Sequence, residues 1–120
     1  MSNLIVGPYS RFKTIPDNKA TVYLSGHIGN DANTGKLVEG DFEAQVRKAL
    51  SNLDETLGLA DINKDNIAKA TVFLTDMANF SEMNKLYVEY FGEHRPARSC
   101  VAVKQLPLGA DFEIEAIAYK

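Results

Sequence analysis

Arg98 is the residue of this chain whose type and setting point most directly to chemistry. It follows Pro96-Ala97 and leads into the apolar run Cys100-Val101-Ala102-Val103, so a stiff backbone and a strand frame it. A guanidinium presents a planar fork that matches a carboxylate with two parallel hydrogen bonds. Arg98 could grip the carboxylate of a small substrate, or close an internal ion pair with Glu113 or Glu115, and the residues alone leave both readings open. Glu113 and Glu115 lie two apart in an apolar, strand-like run, so they point to one face. A carboxylate in a partly dry site can act as a general base. For Glu115 the solvated reading is preferred, while for Glu113 both stay open. Cys100 shares parity with Arg98 and should emerge on the same face. Its simplest role is a small buried hydrophobe, with a thiolate favoured by Arg98 as the lesser alternative. Tyr9, after Gly7-Pro8, either hangs over a pocket or simply packs.

Other chemistries find little support. His27 and His94 stand apart from any Cys/His cluster or His-Glu-x-x-His pattern, so no metal is expected. Gly26-His27-Ile28-Gly29 lacks the Gly-Lys-Ser/Thr ending of a phosphate-binding loop. One cysteine and two scattered histidines do not suggest a nucleophilic triad. His27 is read as a polar loop residue.

The elements that must carry these residues follow from spacing. Leu4-Ile5-Val6 reads as a brief strand ending at Gly7-Pro8, and Arg11 to Ile15 as another short one. Pro16-Asp17-Asn18 is turn chemistry. Ala20 to Leu24 reads as a strand stopped by Ser25-Gly26, with loop from His27 to Gly40. Asp41 caps a helix whose stripe is Phe42, Val46, Ala49, Leu50, Leu53 and Leu57, with Gly58 as the stop. Ile67 to Leu74 is the clearest strand. A second helix starts near Asn79 or Ser81, buries Met83, Leu86, Tyr87, Tyr90 and Phe91, and ends at Gly92. The runs on either side of Pro107 and Gly109 read as two strands joined by a connection longer than a tight hairpin turn.

This order predicts an α+β sandwich, two helices on one face of a mixed sheet. Ala70 to Leu74 is apolar or near-apolar on both alternating faces, and two helices can cover only one. The second face is therefore expected to be buried by other copies of the chain, or to line a ligand site between copies.

At 120 residues the chain fits a single domain, 1–120, with ordinary composition: 45% apolar and 24% charged. The net charge of −3 and the lack of a basic run argue against a nucleic-acid partner. No apolar run reaches membrane-span length, and Met1 to Pro8 lacks the pattern of a secretory leader. A lone Cys100 forms no internal disulfide, which fits a reducing, cytoplasmic setting.

Pro96-Ala97-Arg98-Ser99-Cys100-Val101, Leu106-Pro107 and Glu113-Ile114-Glu115-Ala116-Ile117-Ala118 resemble the C-terminal signature of the RidA (YjgF/YER057c/UK114) family. Gly7-Pro8-Tyr9-Ser10, Leu24-Ser25-Gly26 and Thr71-Val72-Phe73-Leu74-Thr75-Asp76, with Phe80 and Asn84, resemble further family segments in the same order. The resemblance implies a six-stranded mixed sheet (chorismate-mutase-like) with two helices on one face, assembled as a barrel-like trimer with clefts between subunits. It implies hydrolytic deamination of enamine/imine intermediates, such as 2-aminoacrylate and other small 2-imino acids, to 2-keto acids and ammonia. By resemblance, Arg98 holds the substrate carboxylate and Glu113 positions the water. Tyr9, Ser25, Asn84 and Cys100 line the same cleft, and no cofactor or metal is implied. The alternatives are a non-catalytic trimer that binds small carboxylate metabolites, or a regulatory interaction protein. The chain departs from the family pattern in a longer stretch between Tyr9 and Ser25, a shorter one from Phe91 to Pro96, and His27 where glutamine is common.

Overall fold

The computed structural model describes residues 4–120. Met1, Ser2 and Asn3, which begin the stretch read as lacking a leader, lie outside the described residues. The elements are β1 (Thr21–His27), α1 (Phe42–Leu59), β2 (Ile67–Leu74), α2 (Phe80–Phe91), β3 (Ala97–Ala102) and β4 (Phe112–Tyr119). The sheet order is β1-β4-β2-β3, with β2 and β3 parallel and the other pairs antiparallel. Two helices on a four-stranded mixed sheet make this an α+β fold.

Both helices form for legible reasons. The Asp41 side chain accepts from the Ala44 amide at 3.0 Å and caps α1. Val46, Ala49, Leu50, Leu53 and Leu57 then fall on one buried stripe. Each large apolar side chain buried this way contributes about 1.5–3 kcal/mol relative to exposure. Gly58 does not stop α1: the helix runs to Leu59, and its chain reversal falls to Ala60 and to Asp61, which adopts φ 60°. Aspartate tolerates that left-handed conformation. In α2, Met83, Leu86, Tyr87 and Phe91 are buried, while Tyr90 sits half-out and donates to Asp54 at 2.8 Å.

Three expectations are corrected. The sheet has four strands, not six, because Leu4–Val6 and Arg11–Ile15 do not join it. Gly7-Pro8 breaks the first of these, and among the described residues the segment's one ladder bridge to the sheet is Ser10 to Ala97. β1 does not end at Leu24 but continues to His27, because a bulge absorbs Ser25 and Gly26: Leu24 pairs with Ala116 and His27 with Ile114. His27 therefore closes a strand rather than opening a loop. The two strands read on either side of Pro107 and Gly109 form as β3 and β4, and β2 lies between them in the sheet. The intervening chain crosses the end of β2, where the Val103 amide donates to the Leu74 carbonyl at 2.7 Å.

Register assigns the faces. Ala70, Val72 and Leu74 of β2 align with Arg98, Cys100 and Ala102 of β3 and with Ala116, Ile114 and Phe112 of β4, and this set faces the helices. Thr71 and Phe73 align with Ser99, Val101, Glu115 and Glu113 on the opposite, open face. Tyr23 and Val101 on that face are 78% and 45% exposed.

A polar clamp fixes the end of the sheet where Glu113 lies. The Asp111 carboxylate accepts from Gln45 Nε2 at 3.2 Å and from the Thr75 hydroxyl at 3.0 Å, and the Asp111 amide donates to Gln45 Oε1 at 2.8 Å. Gln45 is buried, so truncating its partner leaves an amide unsatisfied. Asp111→Ala should lower the unfolding free energy by about 1–3 kcal/mol in urea denaturation, and an unchanged midpoint would show that the clamp carries no stability.

Candidate active site

Arg98 is buried on the helix side of the sheet, and no carboxylate among the described residues pairs with it. Its Nη1 donates to Asn84 Oδ1 at 2.7 Å and lies 3.9 Å from the Met83 sulfur, both on α2. The guanidinium carbon sits 4.9 Å from the Tyr87 ring centre, 5.4 Å from Tyr9 and 5.8 Å from Phe80. Each ring attracts the cation through its quadrupole, on the order of 0.5–2 kcal/mol apiece. The Nε hydrogen finds no acceptor, and neither does the buried Tyr87 hydroxyl close by. Burial disfavours the charged form of Arg98 and pulls its pKa down. The internal ion pair weighed from the sequence is therefore absent from the chain as described, and a desolvated cation is left with one edge unpartnered.

The cover over this cation comes from the N-terminal segment. Gly7 packs so close that a Cβ there would stand 2.8 Å from Arg98 Nη2, so only glycine fits without displacing the guanidinium. Tyr9 follows, its hydroxyl receiving the Val6 amide at 3.2 Å. The segment is fastened by the Ser10 amide on the Pro96 carbonyl at 3.1 Å and by the Ser10 hydroxyl on the Arg95 carbonyl.

Glu113 lies elsewhere. It is on β4, on the open face, and its carboxylate rests against β1 at Gly26, where a Cβ would fall on the carboxyl group. Burial first, and the neighbouring Glu115 second, push its pKa above the ordinary carboxylate value. β2 intervenes between β4 and β3, which puts about 10 Å of sheet as well as its thickness between Glu113 and Arg98. One chain does not bring the two together. Ser25 is exposed beside Gly26 in the same bulge. Cys100 does share the face of Arg98, as parity implied; burial raises its thiol pKa and the Arg98 charge opposes this. Tyr9, Asn84 and Cys100 thus gather at Arg98, and Ser25 at Glu113. The pronounced cavities open between α1 and α2, beside His27, and on the open face near Tyr23 and Glu115, rather than at Arg98.

Sequence reasoning missed Phe80 and Tyr87 as walls of the guanidinium box and Gly7 and Gly26 as close-approach positions. Phe80 read only as part of a family segment, and Tyr87 as one residue of a buried helical stripe. A glycine beside Pro8-Tyr9 and another inside a strand were the only available signals. Among the described residues no group of His, Cys, Asp and Glu is placed to hold a metal ion. No helix among them is long and apolar enough to cross a membrane.

Residues 2–120 match the family described as Endoribonuclease L-PSP. The human 2-iminobutanoate/2-iminopropanoate deaminase is 39% identical over 113 residues, covering 94% of this chain and 80% of that one. A Yersinia pestis protein of unknown function from the conserved Rid family, YyfA, superposes with a TM-score of 0.79 at 46% identity, over 95% of this chain and 89% of its own. Escherichia coli TdcF, solved with bound serine, superposes at 0.78 with 35% identity, over 97% and 91%. With the family match spanning nearly its whole length and relatives of 39% and 46% identity covering most of it, the chain belongs to the RidA/YjgF family.

Proposed function

We propose that the protein hydrolyses small 2-imino acids, formed from 2-aminoacrylate-type enamines, to 2-keto acids and ammonia. The observation that carries this reading is the buried Arg98 guanidinium with an unpartnered Nε and no acidic counter-ion among the described residues. A substrate carboxylate supplies the missing charge and the missing acceptors. The related human protein bears the name of such a deaminase, and the related TdcF holds serine, a small amino acid with a carboxylate. The substrate reaches the cation by displacing the Gly7–Tyr9 cover. Asn84 holds the guanidinium in plane from Nη1, leaving its other edge for the carboxylate.

The chemistry asks little of the protein. The enamine tautomerises to an imine whose carbon is already electrophilic. Water adds across C=N, and the resulting carbinolamine collapses to C=O with loss of ammonia. Glu113 orients the water and takes its proton, while Arg98 fixes the imine carbon relative to that water. Tyr9, Ser25 and Cys100 line the cleft in this reading, no cofactor is needed, and the setting is the cytoplasm.

Because Arg98 and Glu113 lie on opposite faces of one sheet, the working site pairs Arg98 of one copy with Glu113 of another. A homotrimer with sites between subunits meets this need and also covers the apolar open face around Tyr23, Phe73 and Val101. A non-catalytic carboxylate-binding protein is the second reading, favoured by the same separation of the two residues. A nuclease role would need a phosphate-binding surface that the net charge of −3 does not suggest.

2-Imino acids generated by an amino-acid oxidase and trapped with semicarbazide provide the assay. Arg98→Ala should lower kcat/KM by about 10- to 100-fold, the range for losing charged hydrogen bonds. Glu113→Ala should abolish turnover while leaving a 2-keto acid able to bind. Co-expressing the two inactive chains should restore activity at about a quarter of the sites in a random mixture, since one site in four then receives both intact residues. No recovery would refute a site shared between copies, and wild type that accelerates nothing would leave the binding reading.

The acid limb of the rate should follow from Glu113. A base works only when deprotonated, so activity falls as pH drops through its raised pKa, and the limb should sit above the ordinary value of 4.5. Glu115→Gln removes a repelling charge and should move that limb to lower pH. A limb unmoved by Glu115→Gln would place the titration on another group.

A further inference from the structure

The wall against which Glu113 rests is the irregular part of β1, and one side chain pins it. Ser25 and Gly26 form a bulge in which two residues oppose one, so the strand ladder does not hold them. His27 Nδ1 meets the Ser25 carbonyl at 2.8 Å, and its Nε2 meets the Thr56 hydroxyl of α1 at 2.7 Å. A carbonyl only accepts, so Nδ1 carries the proton and donates; in the neutral ring Nε2 accepts from Thr56. One turn earlier on the same stripe of α1, Asn52 donates to the Ile28 carbonyl at 2.9 Å and to the Asn30 carbonyl at 3.0 Å. α1 thus fastens the chain on both sides of the strand end.

We propose that His27 is a positioning residue for Glu113: its imidazole ties the Ser25–Gly26 bulge to Thr56 and so sets how closely β1 covers the Glu113 carboxylate. The consequence for catalysis rests on the reading of Glu113 as the group that orients water. Gly26 has no side chain with which to adjust its contact, so within one copy a shift of the bulge changes how closely backbone covers the Glu113 carboxylate. Desolvation is the larger of the two causes that raise the Glu113 pKa, so loosening the wall lowers it. Titration of His27 does not undo the tie. When the ring is protonated, Nε2 donates to Thr56, whose hydroxyl turns to the Asn52 carbonyl 3.2 Å away. The charged groups around the ring are Glu55 of α1, which lines the same cavity of about 180 Å³, and Glu113 of β4 across Gly26.

Carboxyl-carbon NMR titration of Glu113 in the intact protein tests this without needing turnover. In His27→Ala and in Thr56→Val the Glu113 midpoint should fall by about half a pH unit or more. In His27→Gln, whose amide can still donate to Ser25, the wild-type midpoint should be kept. In parallel, kcat for 2-imino acid hydrolysis should drop about tenfold in His27→Ala with KM held, since Arg98 is untouched. A Glu113 midpoint unmoved in both His27→Ala and Thr56→Val would overturn the proposal. A midpoint that moves in a protein with no turnover would support the tie and refute the deaminase reading. Should His27→Ala fail to fold, Thr56→Val, which keeps the ring, decides alone.

Discussion

A buried cation with no counter-ion among the described residues is the constraint from which the rest of this structure can be understood. Arg47, on the surface, has two carboxylates, Glu43 at 2.8 Å and Glu89 at 3.0 Å, where solvent screening makes them worth little. Arg98, where a counter-charge would matter most, has none. Three rings and the Asn84 carbonyl soften the cost of burying it, but dipoles and quadrupoles do not neutralise a full charge. Such a site has an electrostatic preference for an arriving anion before any detail of fit is considered. It also needs a stiff support, and the packing of β3 against α2 supplies one: Met83 and Tyr87, which touch the guanidinium, belong to the same cluster as Leu53, Val72 and Ile114.

The sheet divides labour between its faces. The helix side holds the Arg98 cation within a packed core, and the open side holds the Glu113 carboxylate within a thin cover of neighbouring strand. These two environments push the two groups in different ways. Burial lowers the Arg98 pKa and raises that of Glu113, each toward its neutral form. If both met within one chain, they would neutralise each other as an ion pair and leave nothing for a ligand. Mounting them on opposite faces keeps them apart in the monomer, and assembly can then bring them near each other with a carboxylate between.

Much of this was legible from residue spacing. Ile67–Leu74 forms the strand its apolar run implied, and the stripe from Val46 to Leu57 is buried as its spacing required. These features depend on local periodicity, which sequence records directly. Arg98 stood out because its charge interrupts an otherwise packable strand. What could not be read depends on pairing between distant segments. Nothing in Ala97–Ala102 or Phe112–Tyr119 says that β2 inserts between them. Whether Ser25-Gly26 ends a strand or bulges within it is decided by β4, and whether residues 11–15 form a strand depends on a partner they lack. His27 looked like a loop residue because Thr56, which gives it a role, is 29 positions away.

The sparse machinery also bears on why Glu113 should be perturbed at all. A carboxylate of ordinary pKa is a weak base at neutral pH, and raising the pKa strengthens it along a Brønsted relation. The rise cannot continue freely, because a carboxyl group that is protonated at working pH takes no proton from water. Glu113 obtains its rise from a partial cover and a like charge two residues along, both of which are graded rather than absolute. A deeper pocket would overshoot, and a fully solvated strand face would give no rise. The bulge in β1 offers an intermediate: it lets backbone, not side chain, approach the carboxylate, so the degree of desolvation depends on how firmly the strand end is held. On this view the fold places its rigidity at Arg98 and leaves an adjustable contact at Glu113.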